Sequence, residues 1–168
     1  YSPRNENTGR WANQCPVCSL EIPATDDKQI WCKGCESELL LLSHKDLVAW
    51  IPRRLAQFEL VNYVASGGVG HVFQAVDSRT NESGAVKVLK PELCETDTWQ
   101  HSMRKEATIM QSFDSPYLIG FRDSGQAGQL HWVATEWIDG HSLADNLKLM
   151  KNNGEQHTLN EISHFMRA

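Results

Sequence analysis

The spacing of hydrophobic and polar positions changes character along the chain, and the changes divide it into parts. Between residues 11 and 42 no helical period survives, because Pro, Gly and Asp interrupt it; short strands and turns are expected. Residues 43–56 (SHKDLVAWIPRRLA) bring Leu47, Val48, Trp50 and Ile51 together. They predict a connector formed as a short helix or turn, capped by Ser43 and stopped before Pro52. From Phe58 the pattern is that of strands. Phe58, Leu60 and Tyr63-Val64 lead into a glycine cluster. His71 to Val76 then alternates, with Val72, Gln74 and Val76 on one face and Phe73 and Ala75 on the other. After a turn-rich stretch from Asp77 to Gly84, Ala85 to Leu89 reads as a third strand. Thr96 to Phe113 lacks Pro and Gly and reads as a helix with Met103, Ala107 and Met110 on one side, ended by Ser115-Pro116. Leu118–Arg122 and Leu130–Trp137 are two further strands, joined by a hairpin around Gly125 to Gly128. Ser142 to Met150 predicts another helix, halted at Asn153-Gly154. Thr158-Leu-Asn-Glu161 is a capping box that opens a last one. The polar residues 1–10 read as a loose tail.

Composition changes this picture little. A chain of 168 residues with 40% hydrophobic content is enough for one medium domain or two small ones. The net charge of −5 argues against a basic nucleic-acid surface. The longest purely aliphatic run, Leu39 to Leu42, is far shorter than a membrane span, and no signal-peptide pattern is seen.

The cysteines change it more. Four of the five come as Cys15-Pro-Val-Cys18 and Cys32-Lys-Gly-Cys35, with 13 residues between the pairs; Cys94 stands alone. Two thiolates two residues apart can hold one metal from a tight turn, and two such turns complete the tetrahedron that zinc prefers. The competing reading is redox-active or simply buried cysteines. A module of some forty residues is too small to hold itself together by hydrophobic burial. Metal binding supplies on the order of 10 kcal/mol. All four ligands are sulfur, so such a site is closed and structural. The pattern resembles a zinc ribbon. Ribbons bind nucleic acid in some proteins and protein in others. Residues 1–35 balance Arg4, Arg10, Lys28 and Lys33 against Glu6, Glu21, Asp26 and Asp27, which favours a protein partner or a regulatory role. Paired cysteines of this kind fit a reducing compartment, and the cytoplasm is the expected location.

The glycine cluster, Ala65-Ser66-Gly67-Gly68-Val69-Gly70, is weak evidence alone. A Walker A loop is excluded because no Gly-Lys-Ser/Thr follows, and a dinucleotide fold would need a helix where His71–Val76 alternates as a strand. What remains is strand, glycine loop, strand, which can fold over phosphates. Lys87 follows 17 residues after Gly70 on the next strand, and Glu106 another 19 on, on the helix. A lysine on a partly buried strand needs an anion, and phosphate oxygens and a helix carboxylate can share it, although either residue alone reads as a solvated surface charge.

With these motifs in order, residues 58–168 resemble the N-lobe and early C-lobe of bacterial, eukaryotic-type serine/threonine protein kinases. The matching stretches are Phe58-Glu-Leu-Val with Ser66 to Ala75, then Ala85-Val86-Lys87, Asp114-Ser-Pro-Tyr-Leu-Ile119 and Trp132 to Gly140. The fold class this implies is α+β: a five-stranded antiparallel sheet with one regulatory helix, preceded by a small four-cysteine zinc ribbon and continuing into a truncated C-lobe. The implied organisation is ribbon 1–42, connector 43–56, N-lobe and hinge 57–140, and the first C-lobe helices 141–168. The resemblance implies that Ser66, Gly67, Gly68, Val69 and Gly70 cover the phosphates of ATP. Lys87 would contact the α- and β-phosphates and pair with Glu106. Val64, Val72 and Ala85 would sandwich the adenine, with Thr135 as gatekeeper and the backbone of Glu136 and Ile138 on the adenine edge. Asp145 lies near the ribose position, and Met110 and Phe121 fall where the lobes share a core stack. Ala65 departs from the pattern at the first glycine position and should stiffen the loop.

The catalytic loop (His-Arg-Asp…Asn) and Asp-Phe-Gly of such kinases, which hold Mg2+ and orient the substrate hydroxyl, are not found in these residues. The chain by itself is expected not to transfer phosphate, and to expose an apolar face. Two other readings compete with the active kinase: a pseudokinase scaffold, which Ala65 favours and Lys87 with Glu106 disfavour, and a nucleic-acid-binding ribbon, which the charge balance disfavours.

Overall fold

The computed structural model describes residues 10–44, 47–154 and 158. The helix expected from Thr158 and most of the tail lie outside them. The chain forms two compact units, Tyr1–Trp137 and Ile138–Ala168.

The first unit opens with a 3-10 turn at Arg10–Ala12, then two cysteine turns, then strands β1 (Gln29–Trp31), β2 (Glu38–His44) and β3 (Leu47–Pro52). These make a three-stranded antiparallel sheet in the order β1-β2-β3. The connector helix expected over 43–56 is corrected here: Leu47–Pro52 is a strand paired along its length with Leu39–His44. The reason is burial on both faces. Consecutive residues Ala49, Trp50 and Ile51 are all buried, so the run carries no alternation to mark it as a strand.

Strand β4 (Arg54–Leu55) turns directly into β5 (Phe58–Ser66), β6 (Gly70–Asp77) and β7 (Ser83–Leu89). A 3-10 turn at Pro91–Leu93 leads to helix α1 (Asp97–Gln111), followed by β8 (Phe121–Ala127) and β9 (Leu130–Glu136). The large sheet has the order β4-β5-β6-β7-β9-β8, all antiparallel. It is the expected five-stranded sheet with a two-residue edge added, and α1 is its one helix. The strand expected at Leu118–Arg122 starts later, at Phe121, because its polar sequence (FRDSGQA) carries no apolar alternation.

Register assigns the faces. Val72 lies opposite Lys87 and Lys87 opposite Val133, so these three share one face, joined by the Ala85–Thr135 pair. Phe73, Val86 and Ala134 share the other face, as do Val88 and Trp132. Helix α1 buries Met103 and Ala107, spaced four residues apart as one helical stripe. Met103, Ala107 and the buried residues of the large sheet form one continuous core with Trp11, Ala49 and Ile51 of the cysteine module. There Leu40, Leu42 and Ile51 wall a cleft together with Leu60, Tyr63 and Phe73. Phe58 meets Trp132 edge to face at 5.8 Å. Arg53 donates to Glu38 of the small sheet and to Glu59 of β5.

The second unit carries helix α2 (Leu143–Asn153), where the side chain of Ser142 accepts from the Asp145 N–H and Gly154 closes the C-terminus at φ 70°. No described helix is long and apolar enough to cross a membrane.

Candidate metal centre and nucleotide site

The two Cys-x-x-Cys turns repeat one design. The Ser19 N–H donates to the Cys15 carbonyl (2.9 Å) and the Glu36 N–H to the Cys32 carbonyl (2.8 Å). The Cys15 N–H donates to Leu20 and the Cys32 N–H to Ser37. The residue after each second cysteine sits in the left-handed region, Ser19 at φ 62° and Glu36 at φ 58°. Each turn therefore points two sulfurs to one side. The four Sγ atoms lie within 4.8 Å of one another. Cys15 and Cys35 are 3.7 Å apart, and Cys18 and Cys32 are 3.5 Å apart. A disulfide would bring sulfurs to about 2.05 Å. A zinc tetrahedron with bonds of about 2.3 Å has an edge of about 3.8 Å. The donor set and spacing thus fit one tetrahedral thiophilic ion. The charge environment is uneven. Burial pushes the Cys15 thiol up against the opposing N–H donors of Cys18 and Val17. At Cys32 burial also acts against the thiolate, but the N–H groups of Gly34 and Cys35, with the thiols of Cys18 and Cys15, outweigh it and bring the group down to about 7.

Across the large sheet, β5 and β6 are joined by a tight turn in which the Gly67 N–H donates to the Gly70 carbonyl at 2.8 Å. A Cβ on Gly70 would sit 2.7 Å from the Val88 carbonyl oxygen, so the start of β6 presses against β7 too closely for a side chain. At Gly68 a Cβ would meet nothing within 4 Å, and the turn's tip faces open space. Val69 is half-buried against the core, and its carbonyl accepts from the Lys90 N–H. Ser66 pairs with His71, and Ala65 pairs with Val72. Val64 is exposed where the β5–β6 register slips between Tyr63 and Ala65.

On the same face as Val72, Lys87 Nζ lies 2.8 Å and 2.9 Å from the two carboxylate oxygens of Glu106 on α1. Both partners are partly open, at 31% and 44% side-chain exposure, so a ligand can reach the ammonium group. Thr135 Oγ1 donates to the Glu136 carbonyl, and Glu136 holds Gly120 twice: its N–H donates to the Gly120 carbonyl and its carboxylate accepts the Gly120 N–H, each at 2.8 Å. Met110 and Phe121 pack against the core. Ile138 opens the second unit and is exposed, and Asp145 there is engaged by Ser142 and Lys148 at the start of α2.

A lysine bonded to both oxygens of a helix carboxylate, beside a glycine turn on an antiparallel sheet, is the decisive arrangement. The protein kinase domain model matches residues 58–168. The chain belongs to the protein kinase family. Among curated relatives, a probable serine/threonine-protein kinase of Clostridium perfringens is 28% identical over 92 residues, covering 55% of this chain and 13% of that protein. Serine/threonine-protein kinase PknA of Mycobacterium tuberculosis is 28% identical over 117 residues, covering 67% and 27%. The chain therefore spans well under a third of these relatives' length. The PknI kinase domain of Mycobacterium tuberculosis superposes with a TM-score of 0.55 at 18% identity, over 64% of this chain and 42% of that one, a likeness of fold.

Within this kinase lobe the structure brings together Val72, Ala85, Lys87, Glu106 and Thr135 on one face, with the glycine turn at its end. Sequence reasoning missed the residues that join the cysteine module to the lobe: Trp11, Val17, Ser19, Gly128 and Gln129. Only Gly128 carried a signal, and that signal was for a hairpin.

Proposed function

We propose that this chain is the ATP-binding part of a serine/threonine protein kinase that transfers the γ-phosphate of ATP to protein hydroxyls. The observation that carries the reading is the two-oxygen bond between Lys87 and Glu106 beside the Gly67–Gly70 turn. Held by Glu106, the ammonium group of Lys87 has a fixed position from which to neutralise phosphate charge. The turn offers N–H groups without side chains in the way. Val64, Val72 and Ala85 line the adenine, Thr135 bounds the pocket, and the backbone of Glu136 meets the adenine edge. The Mg2+ ligands and the residue that orients the protein hydroxyl belong to the family's catalytic loop and Asp-Phe-Gly segment, so the 168-residue chain alone does not turn over. Cys15, Cys18, Cys32 and Cys35 hold one structural Zn2+, and the module they form serves regulation or the docking of a protein partner, not of nucleic acid.

The test is titration of the chain with a fluorescent ATP analogue. Binding should weaken at least about tenfold in Lys87→Ala, and equal affinity in wild type and variant would sink the reading. A second reading, a pseudokinase scaffold, is favoured by Ala65, whose methyl group stands at the first glycine position. It predicts that a longer form containing the catalytic segments binds nucleotide but phosphorylates nothing.

A further inference from the structure

The two cysteine turns are built alike but face different neighbours. At the third position of the second turn stands Gly34, where a Cβ would press on Cys18 Sγ at 3.0 Å. The equivalent residue of the first turn is Val17, whose side chain packs against both hydrophobic cores, that of the module and that of the kinase lobe. Its carbonyl lies against Gly128 in the β8–β9 turn so closely that a Cβ there would overlap the oxygen. Next to it, Gln129 Nε2 donates to Ser19 Oγ. Four residues before Cys15, Trp11 is 1% exposed inside the lobe's core, and its 3-10 turn touches the Pro91–Leu93 turn that leads into α1. The first turn and its approach thus brace both supports of α1. One support is the β8–β9 hairpin, against which α1 packs. The other is the segment Leu89–Cys94, held by Cys94 Sγ on the Leu89 carbonyl and by the Gln100 side chain on the Cys94 carbonyl.

We propose that metal binding by the four cysteines and the ordering of α1 are one linked equilibrium. The metal fixes the Cys15–Ser19 turn, that turn props the β8–β9 hairpin and the entry to α1, and α1 presents Glu106 to Lys87. The module is then a built-in regulatory plate on the back of the nucleotide sheet, not a tethered recruiting arm. The proposal rests on the metal reading above. The physical basis is mass action: an ion that binds only the folded turn stabilises whatever else must be folded for that turn to exist.

Hydrogen exchange on the 168-residue chain, with one equivalent of Zn2+ and after chelation, tests it alongside a metal count. Expected is one metal per chain, and on chelation at least about a tenfold faster exchange in residues 121–136 and 97–111 together with residues 13–38. Complete loss of protection in all three regions at one chelator concentration supports the linkage equally. Gly128→Asn separates docking from metal binding, because Asn tolerates the left-handed backbone at φ 60° while its Cβ still collides with Val17. This variant should still take up one metal, with weaker affinity than wild type, yet exchange quickly in 121–136 whether or not chelator is present. If wild type holds one metal and chelation opens residues 13–38 alone, the linkage is wrong and the metal reading stands. If Gly128→Asn exchanges like wild type, the docking contact is not the route. A chain that binds no metal overturns both.

Discussion

The cysteine turns and the glycine turn use the same device for opposite ends. Each is a tight backbone reversal, with glycine in the second cysteine turn and in the Gly67–Gly70 turn, and each gathers polar groups at its tip. In the cysteine module the space is filled: Gly34 faces Cys18 Sγ at 3.0 Å, and four sulfurs converge within 4.8 Å. In the kinase lobe the tip at Gly68 looks onto nothing within 4 Å, and the charged pair beside it stays open to solvent. A closed turn is a folding element, whereas an open one keeps its donors for a ligand. Damage to the first should therefore appear as lost stability, and damage to the second as lost function in a folded protein.

The largest effect follows from breaking the closed site. Cys15 is buried, and Cys15→Ser removes one of the four sulfurs that would hold the proposed ion. Since a structural zinc contributes on the order of 10 kcal/mol, the variant should fall from one bound metal to none and lose most of the module's folded signal. A metal count of one with an unchanged melting temperature would place the cysteines outside any folding role.

The open site should behave in the contrary way. An exposed ion pair contributes about 0–1 kcal/mol to stability, so Lys87→Met should leave the melting temperature nearly unchanged. On the kinase reading proposed above, the same change in a form that includes a catalytic segment should lower kcat by about 100-fold or more, as loss of a preorganised donor to transferring charge does. A variant that unfolds would show that Lys87 is structural, and the contrast between the two turns would collapse.

This contrast was half legible in the sequence. The order of glycine turn, Lys87 and Glu106 was readable because each sits on a regular element of sound period: β6 alternates, and α1 carries Met103 and Ala107 at helical spacing. The cysteine spacing was readable because chemistry fixes it. The attachment of one to the other was not. Leu47–Pro52 looked helical because Ala49, Trp50 and Ile51 are buried on both faces of a strand, and only the remote partner Leu39–His44 decides its form. Trp11 is one aromatic in an irregular stretch, and nothing local tells that it reaches the lobe's core. Val17 reads as the filler of a metal turn, though its carbonyl meets Gly128, 111 positions away along the sequence. Local period reports which face is buried, not what buries it.

A smaller effect sharpens the comparison inside the glycine turn itself. Gly70→Ala places a methyl group 2.7 Å from the Val88 carbonyl, against backbone that cannot swing aside. Overpacking of this kind costs about 1–3 kcal/mol, readable by denaturant unfolding. Gly68→Ala meets nothing and should stay within about 0.5 kcal/mol of wild type, while stiffening the tip of the turn. Equal costs at the two positions would mean that the turn is packed throughout and not open at its tip.

The smallest expected effect separates the lobe's own stability from that of the metal turns. His131 on β9 is buried, and its Nε2 has no hydrogen-bond partner among the described residues. Burial lowers its basicity, and the nearby Arg104 charge adds to this. The folded chain therefore keeps this imidazole neutral at pH values where the unfolded chain already protonates it. The unfolded state then binds more protons, so this contribution to stability is complete above about pH 6.5 and is lost as the pH falls through the lowered folded value. Protons also compete with a metal for the cysteine sulfurs, which would open the module by a separate route. The two routes part in His131→Gln measured at saturating Zn2+. Its stability should fall less than that of wild type between pH 7.5 and 5.5, with metal content equal in both. Parallel pH profiles would assign the whole acid sensitivity to the cysteine turns and leave the lobe without a proton-linked term of its own.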